Sequence, residues 1–544
     1  MTIALRRPAG RPGRNKIRTE GNVTVELFPR QALSPRPRPE GLPAGTRLEP
    51  LLSALAAALL LAAFLAGSAI AEEPRGRDLR ERLIQADSVF AFSADVHLSP
   101  EEKDADAVLN ALRASYLKRF AAQPDLPFRT PFASSRQEIR ETGLHRALRA
   151  MPKGGMLHIH ATATGRVEWI VDRALSMPEC QIFWEETNET NVHGQLGVFP
   201  AGPAPKGWIL LSGLKARRPD LRRELVELYT LGPEELGVPD VWKEFEAIFW
   251  RIDGFVSYRP VFLAYYLDAF ETLARDGVQF LELRTSLDPV QAEDGTLVES
   301  RGVVEMYRSI LDRVRKSHPG FDLAIIVCGS RGADASEVRG KMDLERRLAA
   351  EYPDLVVGFD LVGEEDRGRT TEYYAAALGS RPPVPLYLHG GESLSASNYN
   401  VLDAWLLGAQ RIGHGVNLVN FLHLERKVRE TGTVLEICPI SNQALGYVPD
   451  LRLHPARGLL MRGVQGVLSS DDPGIFRSEG LTDEFWQAYV AWGLDLRDLK
   501  QLARNSIVHS GLSPARRHRH LESFDARWRR FIRSVTETWP REAP

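Results

Sequence analysis

The sequence predicts an α/β fold, a closed barrel of eight strand–helix units, and three observations indicate it. Short runs rich in Val, Ile and Leu alternate with stretches of helical periodicity, which is typical of a parallel sheet. Eight such runs occur, the number that closes a (β/α)8 TIM barrel. Polar residues gather at the C-terminal ends of the runs, where such a barrel places its active site. The runs are Met156 to His160, Gln279 to Arg284, Leu323 to Cys328, Val356 to Leu361, Leu386 to His389, Arg411 to Gly415, Val434 to Cys438 and Val467 to Asp472.

Residues 1–71 are predicted to form a leader. Residues 1–49 are rich in Pro and Arg, which is typical of disordered chain. An uncharged apolar run from Leu51 to Ala71 follows and ends in the small-residue pattern Ala69-Ile70-Ala71. We therefore expect a secretory signal cleaved after Ala71 and a secreted or periplasmic protein. The alternative is a retained, outward-facing membrane anchor, because the run is long enough to span a bilayer.

Three further segments follow the leader. Residues 72–150 are predicted to be an N-terminal helical extension, in which Ser99 and Glu102 fit a capping box. The barrel is expected over residues 151–514, with an insertion at about 167–240, since the gap after the first run is longer than a crossover needs. Residues 515–544 are predicted to be a C-terminal helical tail, whose arginines would solvate the face opposite its apolar one. That apolar face contains Leu521, Phe524, Trp528, Phe531, Ile532 and Val535.

The composition excludes several classes of protein. The 69 Lys and Arg residues nearly balance 71 Asp and Glu residues, for a formal charge of -2, so no basic excess favours nucleic acid as a partner. Three cysteines, Cys180, Cys328 and Cys438, are too few and too scattered for a disulfide framework or a thiolate metal site. We expect all three to be buried thiols.

A metal centre is predicted at the C-terminal rim of the barrel. His158 and His160 are two residues apart on a strand, so their side chains leave the same face. His389 ends the fifth run and Asp471 lies at the end of the eighth. Three imidazoles and one carboxylate suit a mononuclear divalent cation, most naturally zinc, with one position left for water. His414, which ends the sixth run, is a fourth histidine at this rim.

Two more carboxylates stand beside the predicted metal ligands. Glu392 follows His389 by three residues, and its position favours general acid–base work over the alternative of a helix N-terminal charge. Asp472 lies past the strand end, where its carboxylate either faces a substrate or caps the turn at Pro473. The spacing does not decide between these two interpretations of Asp472.

Other metal chemistries do not fit the sequence. It contains no His-Glu-x-x-His, the signature of zincin proteases. It also lacks the His-x-Glu and Pro-Cys-x-x-Cys pattern of cytidine-type deaminases. The fourth run offers no lysine that could bridge two metals after carboxylation, which argues against a binuclear amidohydrolase.

Seven ordered motifs resemble those of the adenosine deaminases. They are MPKGGMLHIH, FLELRTSL, FDLVGEE, LHGGES, RIGHG, LEICPISN and SSDDP, and the resemblance extends from about Leu98 to Leu512. The helical preface, the early insertion and the segment WKEFEAIF are similar to the secreted adenosine deaminase growth factor branch. This resemblance implies deamination of adenosine, and of 2′-deoxyadenosine, to inosine and ammonia, with a zinc-bound hydroxide attacking C6. It also implies a homodimer formed through the N-terminal extension, and an insertion that helps to form the ribose side of the pocket.

The resemblance also implies a role for each matching residue. Glu392 would protonate N1 of the purine, and His414 with Asp471 would orient the hydroxide. Asp472 would hydrogen-bond N7, and the Gly363 N–H would meet N3. One Zn2+ per subunit would be held by His158, His160, His389 and Asp471, with His160 also among the substrate-binding residues.

The sequence departs from the family pattern at two places and leaves alternatives open. The stretch ATATG after the histidine pair differs from the usual Asp-containing versions, and a glycine in LHGGES replaces a common alanine. The first departure borders the expected sugar pocket. Adenine, a modified nucleoside or AMP is therefore an alternative substrate, and a non-catalytic nucleoside-binding or signalling protein is a further alternative.

Overall fold

The computed structural model describes residues 76–232, 240–379 and 384–539. The chain divides into two units, Met1–Gln85 and Ala86–Pro544. The predicted leader, with its cleavage site or membrane anchor, lies outside the described residues. Among the residues that are described, the search for a helix long and apolar enough to cross a membrane finds none.

A closed barrel of parallel strands forms the centre of the second unit. Within the described ranges, the first four barrel strands pair in one four-stranded sheet and the last four in another, each in chain order. Two bridges close the ring, between Ile159 and Asp471 and between Phe359 and Leu386. The predicted α/β barrel is thus confirmed, and every predicted run contributes a strand. The strands are β1 (Gly154–His160), β2 (Val278–Thr285), β3 (Asp322–Ser330), β4 (Val356–Val362), β5 (Tyr387–Gly390), β6 (Arg411–His414), β7 (Val434–Ile437) and β8 (Gly466–Leu468).

The eighth strand is shorter than the predicted run, which extended to Asp472. Regular pairing of β8 ends at Leu468. Asp471 still bonds β1, because its N–H donates to the His158 carbonyl (3.1 Å) and its carbonyl accepts from the His160 N–H (3.0 Å). The backbone of Asp471 has φ +59°, a left-handed conformation that is uncommon outside glycine and turns the chain at the rim.

Helices cover the barrel and extend it at both ends. Helix Ala335–Glu351 packs on β3 and β4, and helix Leu496–Val508 packs on β1 and β8. The α-helices of the described ranges are Gly76–Ser88, Pro100–Lys118, Leu126–Arg129, Phe132–Arg140, Gly143–Arg149, Val167–Ser176, Leu211–Lys215, Leu221–Leu228, Val241–Val256, Arg259–Arg275, Ser300–Ser317, Ala335–Glu351, Thr371–Leu378, Asn400–Leu406, Leu422–Thr431, Pro439–Ala444, Pro455–Met461, Leu481–Trp492, Leu496–Val508 and Pro514–Thr538. Short 3-10 helices span Val416–Asn420 and Leu451–Leu453, and a small hairpin pairs Val290–Gln291 with Leu297–Val298.

The terminal helices follow their sequence patterns. Helix Pro100–Lys118 begins at the predicted capping box, in which the Ser99 side chain accepts from the Glu102 N–H and Glu102 accepts from the Ser99 N–H. Helix Pro514–Thr538 buries the predicted apolar face, except that Leu521 is only partly buried. The three cysteines are free and buried, as predicted.

The connection between β1 and β2 holds a compact substructure. Helix Val167–Ser176 is followed by a three-stranded antiparallel sheet and two short helices. The chain then forms helix Val241–Val256, beyond the predicted end of the insertion at about residue 240. The antiparallel strands are Gln181–Phe183, Gln195–Gly197 and Trp208–Leu210.

Candidate functional site

The four predicted metal ligands lie together at the C-terminal rim. His158 and His160 stand at the end of β1, His389 on β5 and Asp471 just after β8. Their ligand atoms all lie within 4.8 Å of one another. Asp471 Oδ1 is 3.3 Å from His158 Nε2 and 3.1 Å from His160 Nε2. Residues from three separate strand ends therefore share one small volume.

The donor set fits a divalent cation. Within the described part of the chain, His158 Nε2 is buried and makes no well-aligned hydrogen bond, although Asp471 Oδ1 lies 3.3 Å away. Burial lowers the pKa of His160 to about 4 and also lowers that of His389, so both rings are neutral at pH 7. Burial and Arg284 also favour a neutral His158, but its contacts with Asp471 and Glu436 outweigh them and raise its pKa. A raised pKa favours the protonated His158 ring, whereas a cation binds only the unprotonated ring, so metal binding would displace the proton from His158.

Buried carboxylates orient two of these histidines. His158 Nδ1 lies 2.9 Å from Glu436 Oε2, and His389 Nδ1 lies 2.8 Å from Asp360 Oδ2. Each contact fixes the ring so that Nε2 points at the shared volume. Arg284 joins the two carboxylates, since its guanidinium donates to both Asp360 and Glu436. The arrangement is typical of a metal site with an outer layer of hydrogen bonds.

A network of charged side chains continues below the histidines, inside the barrel. Arg411 donates to Glu436 (2.6 Å) and also to Glu282. All five charged members are at most 1% exposed, so pairing between opposite charges and hydrogen bonds within the protein take the place of solvent around them. The sequence interpretation missed them, although a charged residue inside an apolar strand is itself a signal. They are Glu282, Arg284, Asp360, Arg411 and Glu436.

Glu392 and His414 lie on the side of the cluster that faces a cavity at the barrel mouth. Glu392 Oε1 lies 3.6 Å from His414 Nε2, which is 3.8 Å from Asp471 Oδ2. Burial and the nearby Asp471 and Glu365 carboxylates raise the pKa of Glu392 well above its usual range. His414 has φ +60°, so it and Asp471 both hold the left-handed backbone found at strained functional positions.

The remaining predicted site residues also line this cavity. Asp472 is buried, and its Oδ1 has no hydrogen-bond partner among the residues described. Burial and the adjacent Asp471 raise the pKa of Asp472 well above its usual range. Gly363 lies just after β4 on the cavity wall, and His160 lines it as well.

Helix Val241–Val256 forms an aromatic roof over the cavity, which has a volume of about 380 Å³. This roof helix was not among the predicted site residues. It is held at two points, because the Trp242 Nε1–H donates to the Tyr447 hydroxyl (2.6 Å) and Phe245 stacks on Phe476 (5.6 Å between ring centroids). The apolar spacing of three and four residues along the segment predicts a helix, but only the tertiary structure shows which face covers the site. Its lining residues are Trp242, Phe245, Glu246, Phe249 and Trp250.

A larger cavity, about 810 Å³, lies elsewhere, between helix Pro100–Lys118 and helix Pro514–Thr538. Its walls carry Glu102 and Lys500, which form an ion pair with each other (2.6 Å). No histidine or cysteine is among its described lining residues. The convergence of ligand-type groups, rather than size, therefore identifies the smaller cavity as the candidate active site.

Comparison with known proteins finds that this chain is similar to adenosine deaminases. The family described as adenosine deaminase matches residues 242–526 of this chain. Adenosine deaminase 2 of Sus scrofa is 32% identical over 511 residues, which cover 90% of this chain and 98% of that protein. Adenosine deaminase 2 of Dictyostelium discoideum is 31% identical over 478 residues, which cover 85% of this chain and 87% of that protein.

Two solved structures share the fold. An amidohydrolase from Burkholderia ambifaria with bound zinc has a TM-score of 0.56 at 17% identity, covering 75% of this chain and 99% of that one. An N6-methyl-AMP deaminase from Arabidopsis thaliana has a TM-score of 0.52 at 19% identity, covering 70% of this chain and 98% of that one. At these identities the likeness concerns the architecture alone.

Proposed function

This chain belongs to the adenosine deaminase family, and from that premise we propose that the roofed cavity at the barrel mouth is its active site. The chain is a hydrolase that removes the 6-amino group of adenosine and yields inosine and ammonia. One observation carries the proposal of the site: the ligand atoms of three histidines and an aspartate, from three distant stretches of the sequence, lie within 4.8 Å of one another beside a buried glutamate.

We propose that the metal is zinc. His158, His160, His389 and Asp471 would hold it, since imidazole nitrogen and carboxylate oxygen are the ligands that zinc prefers in mononuclear hydrolytic sites. When bound, the ion supplies an activated water for attack on C6 of the purine. Glu436 and Asp360 support the site by fixing the rings of His158 and His389.

Glu392 is the proposed proton donor to N1 of the purine. Attack at C6 moves negative charge onto N1, and a proton delivered there neutralises it. Burial and the neighbouring carboxylates favour the protonated form of Glu392 before the reaction. His414, which lies 3.6 Å from Glu392 and 3.8 Å from Asp471, would orient the attacking water.

Two groups would orient the purine ring. N7 accepts a hydrogen bond, and the unpartnered Oδ1 of Asp472 can hold a proton toward it. The Gly363 N–H would meet N3 from the loop after β4. The aromatic roof, Trp242 to Trp250, would then exclude bulk water, which strengthens each of these contacts.

The replacement Glu392→Gln tests the acid assignment. A glutamine has the same shape but cannot give up a proton in this way, so we expect ammonia release from adenosine and 2′-deoxyadenosine to fall by about 10²–10⁴-fold. The metal content, measured by mass spectrometry of the purified protein, should stay at one ion per chain, because Glu392 is outside the ligand set. A rate within threefold of wild type would contradict the assignment.

Export and the oligomeric state stay predictions. We propose that the leader directs the chain out of the cytoplasm, and that a homodimer forms through the N-terminal helical extension. The extension offers helix Pro100–Lys118, which is locked to helices Leu496–Val508 and Pro514–Thr538 by the contacts of Glu102 with Lys500 and Trp528. A rigid extension of this kind is a suitable platform for subunit contact.

A further inference from the structure

The side chain of Glu365 lies behind the proposed proton donor and contacts its backbone. Glu365 follows β4 and is 4% exposed. Its Oε2 accepts the Gly391 N–H (2.8 Å), and its Oε1 accepts the Glu392 N–H (3.2 Å). The two oxygens of one carboxylate therefore bind the two successive N–H groups of the turn that presents Glu392.

The same carboxylate is held by two buried amides. Asn398 Nδ2 and Asn400 Nδ2 donate to Glu365 Oε2 at 2.7 Å and 2.9 Å. The other end of each asparagine is also occupied, since Asn398 accepts from the Asn400 N–H and Asn400 accepts from the Thr371 N–H. With four N–H donors around it, the Glu365 carboxylate has one well-defined position.

The turn that Glu365 holds has a restricted backbone conformation. Gly391 has φ +74°, and a side chain there would lie 3.0 Å from Asn417 Cβ and Val401 Cβ. The Gly391 carbonyl accepts from the Asn417 N–H (2.9 Å), so the turn is fastened on both of its edges. Without Glu365, two buried N–H groups would lose their acceptor and the turn would shift to find another.

We propose that Glu365 is a positioning residue for catalysis, which fixes the backbone of Glu392 and ties it to the loop of Gly363. Both loops would touch the same purine, one at N1 and the other at N3. Glu365 would thus hold the proton donor and the ring-binding N–H in one rigid frame. The inference rests on the proposed role of Glu392, because Glu365 acts through that residue.

The replacement Glu365→Gln tests this inference. Glutamine keeps the shape, but its amide N–H2 would face N–H donors, so the turn must move. A displacement of about 1 Å at a reacting group costs up to about 10²-fold in rate, so we expect kcat to fall by about 10–100-fold. KM should change by less than about threefold and metal content should stay at wild type, because no metal ligand is touched.

The matched control is Glu364→Gln, which makes the same chemical change one residue earlier. Glu364 pairs with Arg367 at the rim (2.8 Å) rather than with the turn of Glu392, so we expect wild-type kcat and KM. If Glu365→Gln does not fold, Glu365→Asp keeps the charge but withdraws the oxygens from the turn, and it should show the same fall in kcat at constant KM.

Three results would overturn the inference. They are wild-type kcat in the folded Glu365 variant, an equal loss in the Glu364 control, or a loss explained wholly by missing metal. The Glu392→Gln variant, assayed beside them, separates this inference from the proposed function. An inactive Glu392→Gln variant together with a Glu365 variant of normal activity would refute only the positioning role of Glu365. An active Glu392→Gln variant would refute the assignment of Glu392 as the acid.

Discussion

The replacement Glu436→Gln should weaken both the barrel core and the metal centre. The Glu436 carboxylate accepts from three buried donors: His158 Nδ1 (2.9 Å), Arg411 Nε (2.6 Å) and Arg284 Nη2. A glutamine keeps one acceptor oxygen and places an N–H2 group where the other stood. The donors on that side would then face another donor, and the negative charge between two arginines would be lost.

The size of the loss follows from these contacts. A buried hydrogen bond to a charged group contributes about 1.5–3 kcal/mol, and about two such bonds are lost. Arg284 keeps Asp360 and Arg411 keeps Glu282, so neither guanidinium is left without a carboxylate. The cost should therefore lie near the low end of the 3–5 kcal/mol typical of a broken buried ion pair, or about 3 kcal/mol.

Denaturant unfolding followed by tryptophan fluorescence measures this cost, since the chain has 10 tryptophans. The protein should first be stripped of metal, so that the ion network is tested alone. Metal affinity is measured separately by competition with a chelator, and should fall by about 10–100-fold because His158 loses its orienting partner. The control, Asp172→Asn, breaks an ion pair with Arg222 in which both side chains are 54% exposed, and should cost about 0–1 kcal/mol. A loss below about 1 kcal/mol for Glu436→Gln, or equal losses for the two variants, would refute the reasoning.

Two other predictions concern the metal centre. A Cβ on Gly413 would lie 2.9 Å from His158 Cε1, so Gly413→Ala should displace that ring and weaken metal binding by about 10-fold or more. The control is Gly340→Ala, which should bind metal normally because a Cβ there meets nothing within 4 Å. Equal affinities in the chelator competition would contradict this. Removal of metal by a chelator should abolish ammonia release from adenosine, and added zinc should restore it. At a zinc concentration near 100 times its Kd, the free energy of unfolding should rise by about 2.7 kcal/mol. Full activity in protein shown to be metal-free would contradict the metal requirement.

Local patterns in the sequence were sufficient to predict the barrel. Strands of a parallel barrel are covered on both faces, so most of their residues are apolar and each strand appears in the sequence as a short apolar run. The exception was the end of β8, which stops at Leu468 although the run continues to Asp472. The segment after Leu468 stays buried at the rim through other contacts: the Ser469 hydroxyl accepts from the N–H groups of Leu157 and His158, and the Asp471 backbone bonds β1.

Part of the candidate site could likewise be predicted from the sequence, and part of it could not. Strand ends of a parallel barrel meet at one rim, so ligand-type residues at the ends of predicted strands could be grouped from their positions in the sequence. Glu365, Glu436 and the roof helix could not be grouped in this way. Glu365 reaches Glu392 from 27 positions away and Glu436 reaches His158 from 278 positions away. Such contacts leave no periodic trace in the sequence near either partner.

From the sequence it was possible to predict which strands form, their order around the barrel and which side chains stand at their C-terminal ends. These properties depend on the spacing of apolar and polar residues over a few positions, and that spacing is a local quantity. The folded structure was needed to show which carboxylate orients each histidine, which helix covers the candidate active site and what holds the turn of Glu392. These features depend on hydrogen-bond distances between distant segments, and chain folding alone sets those distances.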